Sequence, residues 1–284
     1  VEFTAVSWNL FHGRDFPPNP ALRTWRSRLL RVEERDETHA QVNRDLEHEF
    51  ARLLAGARWD VALLQECPPR FEQTFARACG AESHRALTSR NSLAALRSLA
   101  ARINPDLIAS GEGGSNLTLV RRGPLGPIVE RHELEIHSGR PERRAMAFTR
   151  TASGVCLANL HATHDQPALA AADVLAAAEA SAGWAGAAPL LFGGDLNLRP
   201  GEDPGVFDVL RERFGLEGPT GPRAIDHLLA RGLVVASPSA PWAAERRELR
   251  RADGLALRLS DHAPIEAGFS SVRGRDAGAG AGMR

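Results

Sequence analysis

The sequence predicts an α/β fold in one domain. Short apolar runs of strand length recur along the chain and end in polar residues, and amphipathic stretches of helical period lie between them. No internal repeat and no linker divides the 284 residues, a length that could hold one large domain or two small ones. A hydrophobic share of 43% and a charged share of 25% are those of an ordinary globular protein with a buried core.

Taken in order, Phe3-Thr4-Ala5-Val6-Ser7-Trp8-Asn9-Leu10 alternates as a strand does and ends near Asn9. Residues 12–36 are rich in Pro and Arg and read as a long loop with a short helical piece. A loop of that length in a compact domain usually has a function. Val42, Leu46, Phe50, Leu53 and Leu54 mark an amphipathic helix over 42–54, stopped at Gly56. The run Val61-Ala62-Leu63-Leu64-Gln65-Glu66 is a buried strand that delivers a carboxylate before Pro68 and Pro69 break it. Helices are expected over 71–78 and 92–101, and strands over 116–120, 128–134, 144–150 and 155–161. An Ala-rich helix over 167–182 has Pro167 at its start.

After Pro189, Leu190-Leu191-Phe192 reads as a buried strand that breaks at Gly193-Gly194 and then presents Asp195 and Asn197. Residues two apart in extended backbone face one side, and glycines let a ligand approach the backbone closely. Taken alone, Asp-x-Asn is also the signature of a turn that caps a strand. A helix over 205–214, a strand over 224–229 carrying Asp226 and His227, and a last strand over 262–269 complete the domain, residues 1–270. Residues 271–284 lack an apolar pattern and are expected to be a disordered tail.

Composition excludes several chemistries. All 35 basic residues are Arg, so Schiff-base and P-loop lysine mechanisms are out, and the absence of Tyr removes a catalytic phenol. Net charge is zero, so no global field recruits nucleic acid or an anionic membrane. The three cysteines, Cys67, Cys79 and Cys156, have no metal-type spacing and do not form a disulfide framework. They fit a reducing compartment. A cytoplasmic monomer with no membrane span is expected, with secretion left open because the chain begins at Val1 rather than Met.

The polar strand endings carry the functional reading. They are Asn9, Glu66, Asn159 with His161, and Asp195 with Asn197, joined by Asp226-His227 and Ser260-Asp261-His262. Any one alone is most simply a loop residue that satisfies local backbone. Together they form an oxygen-rich set with few thiols, which suits Mg²⁺ or Mn²⁺ rather than Zn²⁺. The His and Asp residues left over supply general acid–base groups. Hydrolysis of a phosphate ester is the reaction this chemistry implies.

The motifs Trp8-Asn9, Leu64-Gln65-Glu66, Asn159-Leu160-His161, Gly194-Asp195-Leu196-Asn197, Ile225-Asp226-His227 and Ser260-Asp261-His262 occur in the order seen in the endonuclease/exonuclease/phosphatase superfamily. The chain resembles that family, which includes pancreatic-type deoxyribonuclease, exonuclease III-like enzymes, neutral sphingomyelinases and inositol-polyphosphate 5-phosphatases, from residue 1 to about residue 269. The resemblance implies a deoxyribonuclease-like fold: a two-layered β-sandwich of mainly antiparallel sheets flanked by helices, with the site where loops converge at one edge.

It also implies roles. Glu66 and Asn9 resemble the metal site, with Asp261 a further metal-side carboxylate; Asp195 resembles the residue that activates water, with Asn197 beside it. His262 resembles the phosphate-binding histidine, Asp226 the carboxylate that fixes its tautomer, and His161 the acid that protonates the leaving oxygen, with Asn159 in support. Arg143 and Arg144 lie where related enzymes place a phosphate-binding Arg, and Asn116 on a loose version of the family's Gly-Asn strand either touches substrate or is structural. His12 and Arg14, beside the metal site, are further possible substrate contacts.

One feature departs from the family. Exonuclease III-like enzymes use a tyrosine near the phosphate, and this chain has none. The expected activity is Mg²⁺-dependent phosphodiester hydrolysis, with a nuclease among the options and nucleic acid a possible partner. The alternatives are a phosphatase or phospholipase C-like enzyme acting on a phosphorylated small molecule or lipid headgroup, and a catalytically silent binding module.

Overall fold

The computed structural model describes residues 1–88, 94–112, 114–137 and 143–271. The tail expected from residue 271 therefore lies, beyond Ser271, outside the described residues. Two sheets dominate. The first runs Val234–Pro241, Ile265–Ser270, Glu2–Asn9, Val61–Gln65, Ser115–Arg121, Ala81–Leu87 from edge to edge. The second runs Asp226–Arg231, Leu190–Asp195, Cys156–His161, Arg144–Thr151, Ile128–His137. Pairing is antiparallel except between Glu2–Asn9 and Val61–Gln65 and between Cys156–His161 and Leu190–Asp195. The sheets pack face to face with helices on both outer faces, as the sequence led us to expect.

Period-two alternation decides what each strand buries where. Phe3 and Ala5 on the first strand, Val61 and Leu63 on the next, and Leu157, Leu191 and Leu228 opposite them fill the space between the sheets. Their neighbours Trp8 and Leu64 point outward beneath the helices Glu47–Gly56 and Phe71–Cys79, against Phe50, Leu54, Phe71 and Phe75. On the other side Leu190 and Phe192 meet Val174 and Ala178 of Pro167–Ala185 and Leu210 of Pro204–Phe214. The alanines of Pro167–Ala185 keep that helix close to the sheet.

Several boundaries differ from expectation for identifiable reasons. The helix expected from residue 42 starts at Glu47, because residues before it are tied into a small hairpin: Glu34–Arg35 pairs with Ala40–Gln41, and the Val42 N–H donates to Asp15 Oδ2 at 2.9 Å. The 92–101 helix is observed as Ala94–Ile103, and residues 92–93 lie outside the described residues. Ala81–Leu87 was not expected as a strand because polar residues fill it, yet it buries His84, which contacts Thr149 Oγ1 of the other sheet at 3.0 Å. Val234–Pro241 is an edge strand with mostly exposed side chains, so its apolar signal is weak and its prolines are tolerated. No described helix is long and apolar enough to cross a membrane, and all three cysteines are buried and free.

The strand Leu190–Asp195 does not break at its glycines but runs through them to Asp195. Gly194 has φ +136°, and a Cβ there would lie 1.8 Å from the Leu160 carbonyl oxygen of the neighbouring strand. A Cβ on Gly193 would lie 2.6 Å from the His227 carbonyl oxygen on the other side. The glycines thus accommodate neighbouring strands rather than a ligand. Gly194→Ala forces a backbone clash in the middle of the sheet, and we expect a loss of more than about 4 kcal/mol, or no folded protein, on denaturant unfolding.

Candidate active site

Strand register brings the central carboxylate and its partners into one row. Asp195 lies opposite His161 on one side and Asp226 on the other. By the same alternation that sends Leu191 inward, Asp195 faces the gap between the sheets, as do His161 and Asn9. The contact that results crosses the gap: Asn9 Nδ2 donates to Asp195 Oδ2 at 2.9 Å, while Asn9 Oδ1 accepts from the Phe11 N–H at 2.9 Å. Asn9, His161, Asp195 and Asp226 are all buried.

Glu66 needs a different device. The even-numbered residues Ala62 and Leu64 of its strand point outward into the helical layer, so a regular strand would send Glu66 there too. The register changes instead. Leu64 pairs with Leu117, but Cys67 exchanges both backbone bonds with Ser115 at 3.1 and 3.0 Å, leaving one extra residue on the Glu66 side. This is a β-bulge, and bulges re-aim side chains. Glu66 takes φ +47° within it. Its carboxylate reaches His12 Nε2 at 3.1 Å and His161 Nε2 at 3.7 Å.

A turn at Ser260, φ +60°, completes the set. The Ser260 hydroxyl donates to the Asn9 carbonyl at 2.6 Å and accepts from the His262 N–H at 3.1 Å, fixing Asp261 and His262 against the end of the first strand. His262 Nδ1 then meets Asp226 Oδ2 at 2.8 Å, and its Nε2 lies 3.8 Å from Asp195 Oδ2. A cavity of about 330 Å³ opens over these groups, lined among others by Asn9, Glu66, His161, Asp195, Asp261 and His262.

The charges in this cavity are set by burial and by neighbours. Burial pushes the Asp195 carboxyl up to about 7, and the Asp226 carboxylate pushes the same way. Burial alone would lower His262, but Asp226 and Asp195 outweigh it and hold the ring protonated to about 10. Burial and the Arg144 charge lower His161 to about 3, so its ring is neutral. Arg144 Nη1 stands 3.3 Å from His161 Nδ1; since Arg only donates, the His161 hydrogen sits on Nε2, toward Glu66 and Asp195. Burial works against Glu66 ionising, yet His12 and His161 hold it down at about 2.

The donor set fits a hard cation. Glu66 is ionised, Asp261 and Asp195 open into the same cavity, Asn9 Oδ1 retains a lone pair, and no thiol is present. Asp195, Asp226 and His262 also place ligand atoms within 4.8 Å of one another. The His262–Asp226 hydrogen bond, with Asp195 beside it, marks them as an acid–base group, so the cation is better accommodated on the Glu66 side.

Other expected residues sit elsewhere. Asn159, expected at the substrate, is fully buried between the sheets; it accepts from Gln65 Nε2 at 2.8 Å and donates to the Leu117 carbonyl at 3.1 Å. Asn116 is likewise fully buried and donates to the Ala145 carbonyl at 2.7 Å. Both bridge the sheets, and neither is among the residues that line the cavity. Asn197 adopts φ +51° and donates to the Ala162 carbonyl at 3.1 Å, so the expected same-side pair with Asp195 in extended backbone does not form. Arg143 is exposed and pairs with Glu135 at 2.6 Å, whereas Arg144 is buried and lines the cavity. The structure adds Thr88 and His164 to the lining; neither belongs to a motif, so no signal in the sequence could single them out.

A family model for the endonuclease/exonuclease/phosphatase family matches residues 6–262, and the chain belongs to that family. Its members are hydrolases acting on phosphoesters and generally depend on a divalent metal. No curated protein matches the chain. Among solved structures it is similar to a family member from Bacteroides thetaiotaomicron, with 14% identity, TM-score 0.62, and coverage of 96% of this chain and 99% of that one. It is also similar to a mannosyl-6-phosphatase from Bacteroides thetaiotaomicron VPI-5482, at 14% identity and TM-score 0.60 over 94% and 99% of the two chains. TDP2 from C. elegans aligns at 16% identity and TM-score 0.56, over 94% of this chain and 75% of that one. At these identities the likeness establishes the fold.

The His262–Asp226 pair yields a pH prediction. A histidine whose folded value is raised stabilises the protein fully below the unfolded value of about 6.5 and loses that contribution as pH rises toward about 10. In EDTA-treated protein, histidine NMR should show His262 still protonated at pH 8. In Asp226→Asn it should titrate much nearer neutrality, and the variant should lose stability below pH 8 relative to wild type.

Proposed function

We propose that the protein is a divalent-metal-dependent phosphoesterase that uses Mg²⁺ or Mn²⁺ and prefers phosphodiester bonds. The row His161–Asp195–Asp226, closed by His262 and facing Glu66 and Asp261 across one cavity, carries this reading. Glu66, Asn9 and Asp261 would hold the cation, which supplies charge stabilisation to the phosphoryl oxygens when bound. Arg14, Arg144 and the protonated His262 line the same cavity and supply positive charge to a bound phosphoester.

The chain's own groups divide the proton chemistry. Asp195, raised toward neutrality and oriented by Asn9, is placed to take a proton from the attacking water. His262, protonated and aligned by Asp226, faces the phosphate with a charged N–H and gives its proton to the leaving oxygen. His161, which the resemblance suggested as the acid for the leaving oxygen, is held neutral by burial and Arg144, and in this reading it contributes Nε2–H as a hydrogen-bond donor instead. After P–O cleavage Asp195 is protonated and His262 neutral. Proton exchange with water entering the cavity returns both groups to their starting states.

Turnover of bis-p-nitrophenyl phosphate is the test. It should vanish with EDTA, return with Mg²⁺ or Mn²⁺, and be absent in Glu66→Gln; full turnover by verified metal-free protein would refute the proposal. In a separate experiment, Asp195→Asn should lower kcat by about 10²–10⁴-fold, the usual size of a general-base contribution. The wild-type acid limb of kcat/KM should lie at or below about pH 7, because a nearby cation can only lower the Asp195 value. An unchanged acid limb in Asp195→Asn would assign it to another group.

A further inference from the structure

Beside the catalytic cavity lies a second one of about 290 Å³, built mainly by the Pro- and Arg-rich segment that follows the first strand. The two cavities share Phe11 and Arg14 as a common wall. Into the second open Arg14, Arg23 and Arg28 from that segment, with Asp15 below and Gln41 and Asp106 opposite. Among the described residues none of the three guanidinium groups makes an ion pair. Arg14 stacks on the Phe11 ring at 3.6 Å and donates through Nε to the Phe11 carbonyl at 3.1 Å, and Arg23 stacks on the Phe16 ring at 4.2 Å. Stacking fixes the guanidinium planes and leaves N–H edges for another acceptor. Other Arg residues of the surface are paired with a carboxylate, as Arg35, Arg44, Arg70 and Arg85 are.

We propose that this cavity is a second subsite, which receives an anionic group, phosphate or carboxylate, carried on the same molecule as the scissile phosphoester. The inference rests on the phosphoesterase reading and adds to it the class of substrate: a compound with two anionic groups, one cleaved and one anchored. The acidic residues in the wall are compatible with it. Asp106 already accepts from Gln41 Nε2 at 2.8 Å. Asp15 is 4% exposed, its Oδ2 takes the Val42 N–H, and its Oδ1 is buried without a partner. Burial raises the Asp15 carboxyl well above its ordinary range, which works against a negative charge at this point of the wall. Three guanidinium groups face the two carboxyls Asp15 and Asp106, of which Asp106 feels Arg14 and Arg28, and the remaining positive charge is what an anionic ligand would meet.

Competitive inhibition of bis-p-nitrophenyl phosphate turnover tests this in the metal-loaded enzyme. The inhibitors are alkanediol bisphosphates of graded chain length, each compared with the monophosphate of the same length. At the length that spans the two cavities the bisphosphate should bind about tenfold more tightly than the monophosphate, the gain expected of one added set of charge-assisted hydrogen bonds. Arg23→Ala/Arg28→Ala should bring that ratio close to one. A variant that is merely less well folded would weaken both inhibitors alike and leave the ratio in place. A wild-type ratio near one at every length, or a ratio that survives in the double variant, would overturn the subsite. Failure of wild type to turn over bis-p-nitrophenyl phosphate at all would instead count against the phosphoesterase reading.

Discussion

The hydrogen bond from Asn9 to Asp195 joins the two sheets at the point where both deliver their functional residues. It is a bond between a carboxamide and a carboxylate with almost no solvent access, and a buried carboxylate is tolerated only where it is hydrogen-bonded or protonated. Asp195 has Asn9 and the Asn197 N–H as hydrogen-bond donors, and burial raises its proton affinity. The remaining groups are arranged around this requirement. Gly193 and Gly194 keep the strand thin enough for its neighbours to close in, and that closeness sets His161 and Asp226 beside the carboxylate.

Burial and charge act against each other at every group in the cavity, and which of them prevails gives each group its chemistry. For His161 burial prevails, aided by Arg144, and the ring is a neutral donor. For His262 the paired Asp226 prevails, and the ring is a cation. Two histidines from equivalent-looking motifs therefore have opposite protonation states. His227, a neighbour of Asp226 in sequence, points away from the site: its Nδ1 accepts from the Thr220 N–H and its Nε2 meets the Leu198 carbonyl, as a satisfied core histidine does. Adjacent strand residues face opposite sides, and that alternation separates a catalytic neighbour from a structural one.

Buried amides give the sandwich its registration. Gln65, Asn116 and Asn159 each bridge from one sheet to the other between apolar layers. Their partners are fixed backbone carbonyls or one another, so a slip of either sheet would leave them unsatisfied in a dry interior. The precision of the cavity depends on these amides even though none of them lines it.

The alternating runs, the Ala-rich helix and the ordered motifs already determined an α/β sandwich and pointed to Asn9, Glu66, His161, Asp195, Asp226, Asp261 and His262. These are local patterns, and local patterns survive in a linear reading. What the sequence could not show is which polar residues at strand ends look into the cavity and which into the protein. Asn159 and His161 share a face, yet only His161 lines the cavity, because Gln65 occupies the amide further in. Glu66 lines it only through a bulge whose existence depends on how a distant strand, Ser115–Arg121, is paired. Arg143 and Arg144 are adjacent, and packing alone sent one to solvent and the other to His161. Residue type and spacing fix a side chain's chemistry; its direction, its neighbours and so its proton affinity are set by contacts between strands far apart in the chain, and those exist only once the two sheets have closed.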